Sequence, residues 1–235
     1  MMKRAIILAG GLGTRLKPYT VSLPKPLMPV GKYPILEIVI RQLANAGFSH
    51  ITLAVNHQAD IIKAFFQSGE KWGVKIDYSL ETERLGTMGP LTIINDLPEN
   101  FLVMNGDVLT NISFDDLYQT HIQSKCNFTI ASKKREQVND YGVLDVLDNK
   151  LIGFREKPIS TYQVSMGVYI LSRKVMKYMP AQKYFGFDEL MLKMLSNGDA
   201  VNIYDFKGDW LDIGRPDDYE VAIDEFEDNE RKYNL

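Results

Sequence analysis

The chain has 235 residues, a formal net charge of −3, 45% hydrophobic residues and 24% charged ones. That length suits one large α/β domain, and the balance is that of an ordinary globular protein. The charge argues against a partner such as nucleic acid that is held by phosphate neutralisation. A single cysteine, Cys126, allows no intrachain disulfide and reads as a small strand residue. No apolar run approaches the roughly 18 residues of a membrane span. The first apolar run is short and ends in glycines, unlike a signal peptide. A cytoplasmic protein with no membrane partner is expected.

Residues 4–8 are apolar without alternation, as in a parallel strand buried on both faces. They empty into Ala9-Gly10-Gly11-Leu12-Gly13-Thr14-Arg15-Leu16, and Leu23-Pro24-Lys25-Pro26-Leu27 follows. Pro34 opens a helix with Ile35, Leu36, Val39, Ile40 and Leu43 on one face and Gly47 as its stop. A strand over residues 50–55 comes next. Then come a helix with the stripe Ile61, Ile62, Phe65 and Phe66, stopped by Gly69, and a strand over 75–79. That order implies a doubly wound parallel sheet with right-handed crossovers. Residues 81–90 lead into a short helix over 91–96. The very apolar strand 101–104 then ends in Asn105-Gly106-Asp107, and Ser113 caps a helix beginning Phe114-Asp115-Asp116.

The second half changes character. Strands are expected over 128–132, 142–146 and 151–156, with Asp148-Asn149 as a tight hairpin turn. A strand over 164–171, a short helix capped by Ser172, a helix over 188–195 and a strand over 201–205 follow. The chain closes with Asp209-Trp210-Leu211-Asp212-Ile213-Gly214-Arg215-Pro216, a helix to Phe226 and a polar tail. The fold class is α/β: a Rossmann-like three-layer sandwich whose mostly parallel, mixed sheet is flanked by helices.

A strand that empties into glycines and then presents Arg15 and Lys25 suits phosphate. Glycines admit positive φ and close backbone approach, so their N–H groups can face anionic oxygens. Arg15 offers a fork of donors and Lys25 a mobile point charge. Two common owners of such loops fail on detail. A P-loop needs Lys-Ser or Lys-Thr after its last glycine, and Gly13 is followed by Thr14-Arg15. A dinucleotide fingerprint needs glycine where Leu16 stands and an acid after the second strand, where Asn56-His57 stands. That argues against a nicotinamide oxidoreductase. Asp107 and Asp212, each beside a glycine-containing turn, are candidates to converge on one Mg²⁺. Lys157, in Arg155-Glu156-Lys157-Pro158, is a candidate for a second phosphate, and Gly142 could let a ligand lie against the backbone. His50, His57 and His121 form no metal-ligand spacing and read as surface or loop residues.

With those motifs in order, the sequence resembles the sugar-1-phosphate nucleotidylyltransferases over nearly its whole length. The resemblance rests on the stretch from Leu8 to Leu27, on Asn105-Gly106-Asp107, Tyr141-Gly142-Val143 and Glu156-Lys157-Pro158, and on Trp210-Leu211-Asp212-Ile213-Gly214. It implies a single domain over residues 1–235, with a nucleotide half to about residue 112 and a sugar-phosphate half from about residue 113. The implied reaction is NTP plus sugar 1-phosphate giving NDP-sugar plus pyrophosphate. By the same resemblance Leu8, Gly10, Gly11, Gly13 and Thr14 hold the nucleotide, and Leu85, Gly86 and Thr87 face the base. Arg15 holds the leaving pyrophosphate and Lys25 bridges the two reacting phosphates. Gly142, Glu156 and Lys157 take the sugar phosphate, and Asp107 and Asp212 carry Mg²⁺. The stretch Leu85-Gly86-Thr87-Met88-Gly89-Pro90-Leu91 resembles that of mannose-1-phosphate guanylyltransferases, although those usually have a small residue where Met88 stands. GTP with a mannose or manno-heptose 1-phosphate is therefore favoured. Thymidylyl, uridylyl and adenylyl transfer to glucose or amino-sugar 1-phosphates stay open, as does homo-oligomerisation. The chain lacks the C-terminal hexapeptide-repeat helix of longer family members, so a minimal catalytic unit is expected. A non-catalytic nucleotide-sugar-binding homologue is the alternative of a different class. Retention of Arg15, Lys25, Asp107, Lys157 and Asp212 together argues against it.

Overall fold

The apolar run at the start of the chain becomes the inner strand β1 (Lys3–Leu8) of a seven-stranded sheet. The computed structural model describes residues 2–233. After β1 come the short strands β2 (Pro29–Val30) and β3 (Tyr33–Pro34), helix α1 (Ile35–Asn45), β4 (Phe48–Val55), α2 (Ala59–Phe66) and β5 (Lys75–Leu80). Next are β6 (Asn100–Asn105), β7 (Val108–Thr110), α3 (Phe114–Ser124), β8 (Phe128–Val138), β9 (Val143–Leu147), β10 (Lys150–Arg155) and β11 (Ile159–Ser172). The chain finishes with α4 (Phe187–Ser196), β12 (Val201–Asp205), β13 (Trp210–Asp212) and α5 (Pro216–Asn229). The main sheet runs β12-β8-β11-β6-β1-β4-β5. β6, β1, β4 and β5 are mutually parallel, β11 is antiparallel to both its neighbours, and β12 is parallel to β8.

Both faces of the sheet are covered, which is why β1 and β6 are apolar without alternation. On one face α1 lays Leu36, Val39, Ile40 and Leu43 against Ala5, Ile7, Ile51 and Leu53, all fully buried. Each such side chain contributes roughly 2 kcal/mol. On the other face Ile6, Val103, Phe128 and Leu171 pack against Leu190 and Met194 of α4. A third, smaller cluster joins Leu16 and Met28 of the long first loop to Tyr219, Ala222 and Phe226 of α5. The Tyr219 hydroxyl also donates to the Pro29 carbonyl at 2.6 Å. The C-terminal helix therefore fixes the glycine-rich segment from behind.

Several expected elements differ in kind or extent. Residues 91–96 are not an α-helix: a 3-10 turn spans Gly89–Ile93, where Pro90 fits its first turn. Ile61 and Phe65 of α2 face solvent, and Ala59, Ile62 and Phe66 supply its buried face. β8 and β11 extend far past the apolar core as a polar ribbon, pairing from Leu171↔Phe128 out to Ile159↔Val138. Cys126 lies in the turn before β8, not in the strand. His50 and His121 are buried, not superficial: His50 sits in β4, and His121 holds α3 to the sheet. The tail after Phe226 is not wholly solvated. Its helix continues to Asn229, and Tyr233 is 2% exposed, with its ring 5.3 Å from that of Phe226. Residues 234 and 235 lie outside the described residues.

Candidate active site

Parallel strands deliver their carboxyl ends to one edge, and ligands of such sheets bind there. Here β1 delivers Leu8 and the glycine loop, β4 delivers Asn56, β5 delivers Glu81 and β6 delivers Asn105. These ends line a cavity of about 480 Å³. Of the residues singled out from the sequence, Leu8, Gly10, Gly11, Gly13, Thr14, Arg15, Lys25, Leu85, Gly86, Thr87 and Asp107 all line it.

The loop's shape follows from its glycines. Gly13 has φ +60, and a Cβ there would stand 2.8 Å from Thr20 Cγ2. Its carbonyl accepts from the Leu16 N–H at 2.9 Å and the Thr20 hydroxyl at 2.7 Å, which closes the turn presenting Thr14 and Arg15. Leu16 anchors that turn, fully buried. Gly11 has open space where a Cβ would be. Across the cavity, Gly86 has φ +79, and a Cβ would lie 2.8 Å from the Phe185 carbonyl oxygen. The Met88 and Gly89 N–H groups donate to that carbonyl, and the Phe187 N–H donates to the Thr87 hydroxyl at 2.8 Å. The segment before α4 thus clamps the Leu85-Gly86-Thr87 loop.

Lys25 follows Pro24 at the start of a 3-10 turn and is 8% exposed; its ammonium is ion-paired with Asp107. Asp212 arrives from the other half of the chain because β13 pairs antiparallel with β7, and the Ile213 N–H donates to the Asp107 carbonyl at 3.1 Å. Gly214 turns there: a Cβ would lie 3.2 Å from Arg15 Nη2 and 3.4 Å from Asp212 Oδ1. Burial by its surroundings, then the neighbouring Asp107 charge, raise the Asp212 carboxyl above its ordinary value, against the pull of Lys25 and Arg15. Asp212 is not itself among the lining residues, but its carboxylate and that of Asp107, which lines the cavity, repel each other and form a hard-oxygen donor pair. They fit Mg²⁺, which takes one or two carboxylates and completes its shell with water and phosphate oxygens.

Asn56, Glu81, Arg84, Asn105, Tyr184 and Gly214 also line the cavity. Burial raises the Glu81 carboxyl, partly offset by the Leu85 N–H it accepts. Asn56, Glu81 and Asn105 each sit at or just after a strand end, a signal the sequence carries. Tyr184 comes from a loop about a hundred residues away in the chain and has no local signal. Gly142, Glu156 and Lys157 are not among the lining residues; they lie at the exposed base of the β9–β10 hairpin. There a Cβ on Gly142 would be 3.2 Å from Glu156 Oε2 and 2.6 Å from the Phe154 ring.

A larger cavity, about 780 Å³, lies against β4 and β5 around Arg4, His50, Thr52 and Asp77. Its polar groups are engaged with one another. Arg4 donates to Thr52 and to the Asn95 and Asp96 carbonyls, and Asp77 bridges His50 and Lys75. The glycine-loop cavity is the better candidate site, because its backbone and the Arg15 guanidinium face open space.

The nucleotidyl transferase family model matches residues 4–229. A mannose-1-phosphate guanyltransferase of Yarrowia lipolytica is 33% identical over 92% of this chain. A UTP–glucose-1-phosphate uridylyltransferase of Synechocystis is 33% identical over 94% of it. The chain spans 62% of the length of each of these relatives. Among solved structures, HddC from Yersinia pseudotuberculosis superposes with a TM-score of 0.75 at 29% identity, covering 96% of this chain and all of that one. The same protein complexed with GMP-PN gives a TM-score of 0.74 at 28% identity, with the same coverage. With its glycine loop, its Lys25–Asp107 pair and its mixed seven-stranded sheet, the chain belongs to the nucleotidyl transferase family.

Proposed function

We propose that the protein transfers a nucleotidyl group from an NTP to a sugar 1-phosphate. A sugar-phosphate oxygen forms a new bond to the α-phosphorus, the bond from that phosphorus to the β-bridging oxygen breaks, and pyrophosphate leaves with the electron pair. A sugar phosphate at neutral pH is already an anionic nucleophile, so no general base is needed. The obstacle is bringing two polyanions into line, and the remedy is positioning by cations.

The observation that carries this reading is the convergence of the glycine loop, Arg15 and the Lys25–Asp107 pair on one cavity whose described lining has no histidine or cysteine. In it, the N–H groups of Gly10, Gly11 and Gly13, with Leu8 and Thr14, cradle the triphosphate. Arg15 holds the leaving pyrophosphate, and Lys25 sits where the bond changes hands. Leu85, Gly86 and Thr87 face the base. Gly142, Glu156 and Lys157 bind the sugar phosphate. Asp107 and Asp212 hold Mg²⁺, which, when bound, neutralises phosphate charge as a Lewis acid.

GTP with a mannose-type or heptose-type 1-phosphate is the favoured pair. The guanyltransferase relative and the GMP-PN complex of a structural neighbour support it. The Synechocystis relative favours UTP with glucose 1-phosphate as the second reading. Pyrophosphate release, scored for each common NTP against mannose, heptose, glucose and amino-sugar 1-phosphates with Mg²⁺, decides between them. GTP with mannose or heptose 1-phosphate is expected to give the highest kcat/KM. Release with no pair at all would overturn the enzyme reading.

A further inference from the structure

The cationic side chains that line the glycine-loop cavity are Arg15, Lys25 and Arg84, and the strand order sets them at opposite ends. Arg15 and Lys25 belong to the β6 side: Arg15 stands against Gly214, and Lys25 pairs with Asp107. Arg84 belongs to the β5 side. It comes shortly after Glu81, which directly follows β5 and whose carboxylate stands against Gly10. Adjacent strands lie about 4.8 Å apart, so the order β6-β1-β4-β5 separates the two ends by about 14 Å. An NTP whose α-phosphate lies at the Lys25–Asp107 pair reaches the β5 end with its base. Arg84 is exposed and, among the described residues, makes no hydrogen bond or ion pair. Its surroundings do not suit a phosphate. The Glu81 carboxylate, which accepts from the Leu85 N–H at 3.4 Å, would repel one. Tyr184 offers a ring that is 66% exposed and lies against Gly86, where a Cβ would be 3.2 Å from Tyr184 Cε2. A bare aromatic face suits a base, whichever base it is.

We infer that Arg84 selects the base of the donor nucleotide, directing its guanidinium fork at O6 and N7 of guanine. The chemistry of the fork picks guanine from the common bases. Guanine presents two acceptors side by side, O6 and N7, and these match two parallel N–H donors. Adenine carries an amino donor in place of O6, and the pyrimidines have no N7. Guanine also has adjacent donors on its other edge, N1–H and the 2-amino group, and an ionised Glu81 only accepts. The unpaired fork and the carboxylate thus complement opposite edges of one base. This inference rests on the nucleotidyl transfer proposed above and names the residue that makes GTP the preferred donor.

Calorimetric titration with GTP, 7-deaza-GTP and UTP, with Mg²⁺ and without sugar phosphate, reads this contact without turnover. 7-Deaza-GTP keeps O6 and every phosphate but has a C–H in place of N7. The wild type is expected to bind it about tenfold more weakly than GTP, as for one lost charge-assisted hydrogen bond. Arg84→Met is expected to bind GTP about 10- to 100-fold more weakly than the wild type does, and to lose the difference between the two guanine nucleotides. Arg84→Lys keeps the charge but not the fork, and is expected to lose that difference too. UTP affinity is expected to stay unchanged in both variants, which also reports that the nucleotide site remains folded. A guanidinium that held phosphate would instead weaken every NTP alike in Arg84→Met and be replaced by lysine. That result, or a wild type that binds GTP and 7-deaza-GTP equally, would overturn the Arg84 assignment and leave GTP as the donor. A wild type that prefers UTP would overturn the choice of GTP, and the assignment with it.

Discussion

Lys25 is the residue on which the proposed chemistry most depends. It is buried, it stands directly before Pro26, which restricts its backbone, and its only ion-pair partner among the described residues is Asp107. A charge held in place beforehand needs no reorganisation when the transition state forms. Lys25→Ala is expected to lower kcat by about 10²- to 10³-fold, the usual cost of removing one such electrostatic group. Asp107 keeps access to water, so the fold is expected to hold, with circular dichroism and melting temperature close to the wild type. A variant that turns over at near-normal rate would sink the assignment. At this scale the sequence is legible where a backbone conformation demands one residue type. Gly13 and Gly86 announce themselves because their positive φ and tight surroundings exclude a Cβ. Tyr184 does not, because its place at the cavity comes from the pairing of Phe185 with the Leu85 loop, a contact spanning a hundred residues.

Among the elements, α3 shows how a buried polar group ties a helix to the sheet. Ser113 caps it by accepting from the Asp116 N–H at 3.2 Å. His121, nearer its end, is buried between the Thr129 hydroxyl at 2.8 Å and the Asn100 side-chain oxygen at 3.1 Å. The Asn100 oxygen only accepts, so Nε2 carries the proton and Nδ1 accepts from Thr129. Burial pushes this imidazole down to about 4. The unfolded chain then binds the proton more readily than the folded one between about pH 6.5 and pH 4. Stability is complete above that window and falls as the pH drops through it, by about 3 kcal/mol in all. Urea midpoints measured from pH 7 to pH 4.5 are expected to fall more steeply in the wild type than in His121→Gln. Parallel slopes would contradict this account of the α3 anchor. Periodicity made α1 readable, since its Leu36, Val39, Ile40 and Leu43 all reach the core. It misled for α2, which lies near the sheet edge: an apolar stripe of four there buries only Ile62 and Phe66. Residues 91–96 misled for a different reason. Gly89 and Pro90 start a turn there whose geometry the contact with Phe185 decides.

The molecule as a whole joins two kinds of chain around one edge of one sheet. The first half alternates strand and helix, and each strand end lands beside the next, so the residues lining the glycine-loop cavity were largely readable from order alone. The second half returns antiparallel through β11 and sends β13 back to pair with β7, which brings Asp212 beside Asp107. The expected convergence of the two aspartates is met, but the strand pairing across about a hundred residues that produces it has no local signal in the sequence. The third core cluster, with α5 and Tyr233 packed behind the glycine loop, was equally hidden, because a polar tail gives no sign of what it covers. The central claim is that two substrates held by this assembly exchange a nucleotidyl group directly, with no covalent intermediate on the protein. The most direct test is the configuration at phosphorus after turnover of a chiral NTP carrying sulfur on its α-phosphate. One in-line displacement predicts inversion in the NDP-sugar product, whereas retention would contradict the account.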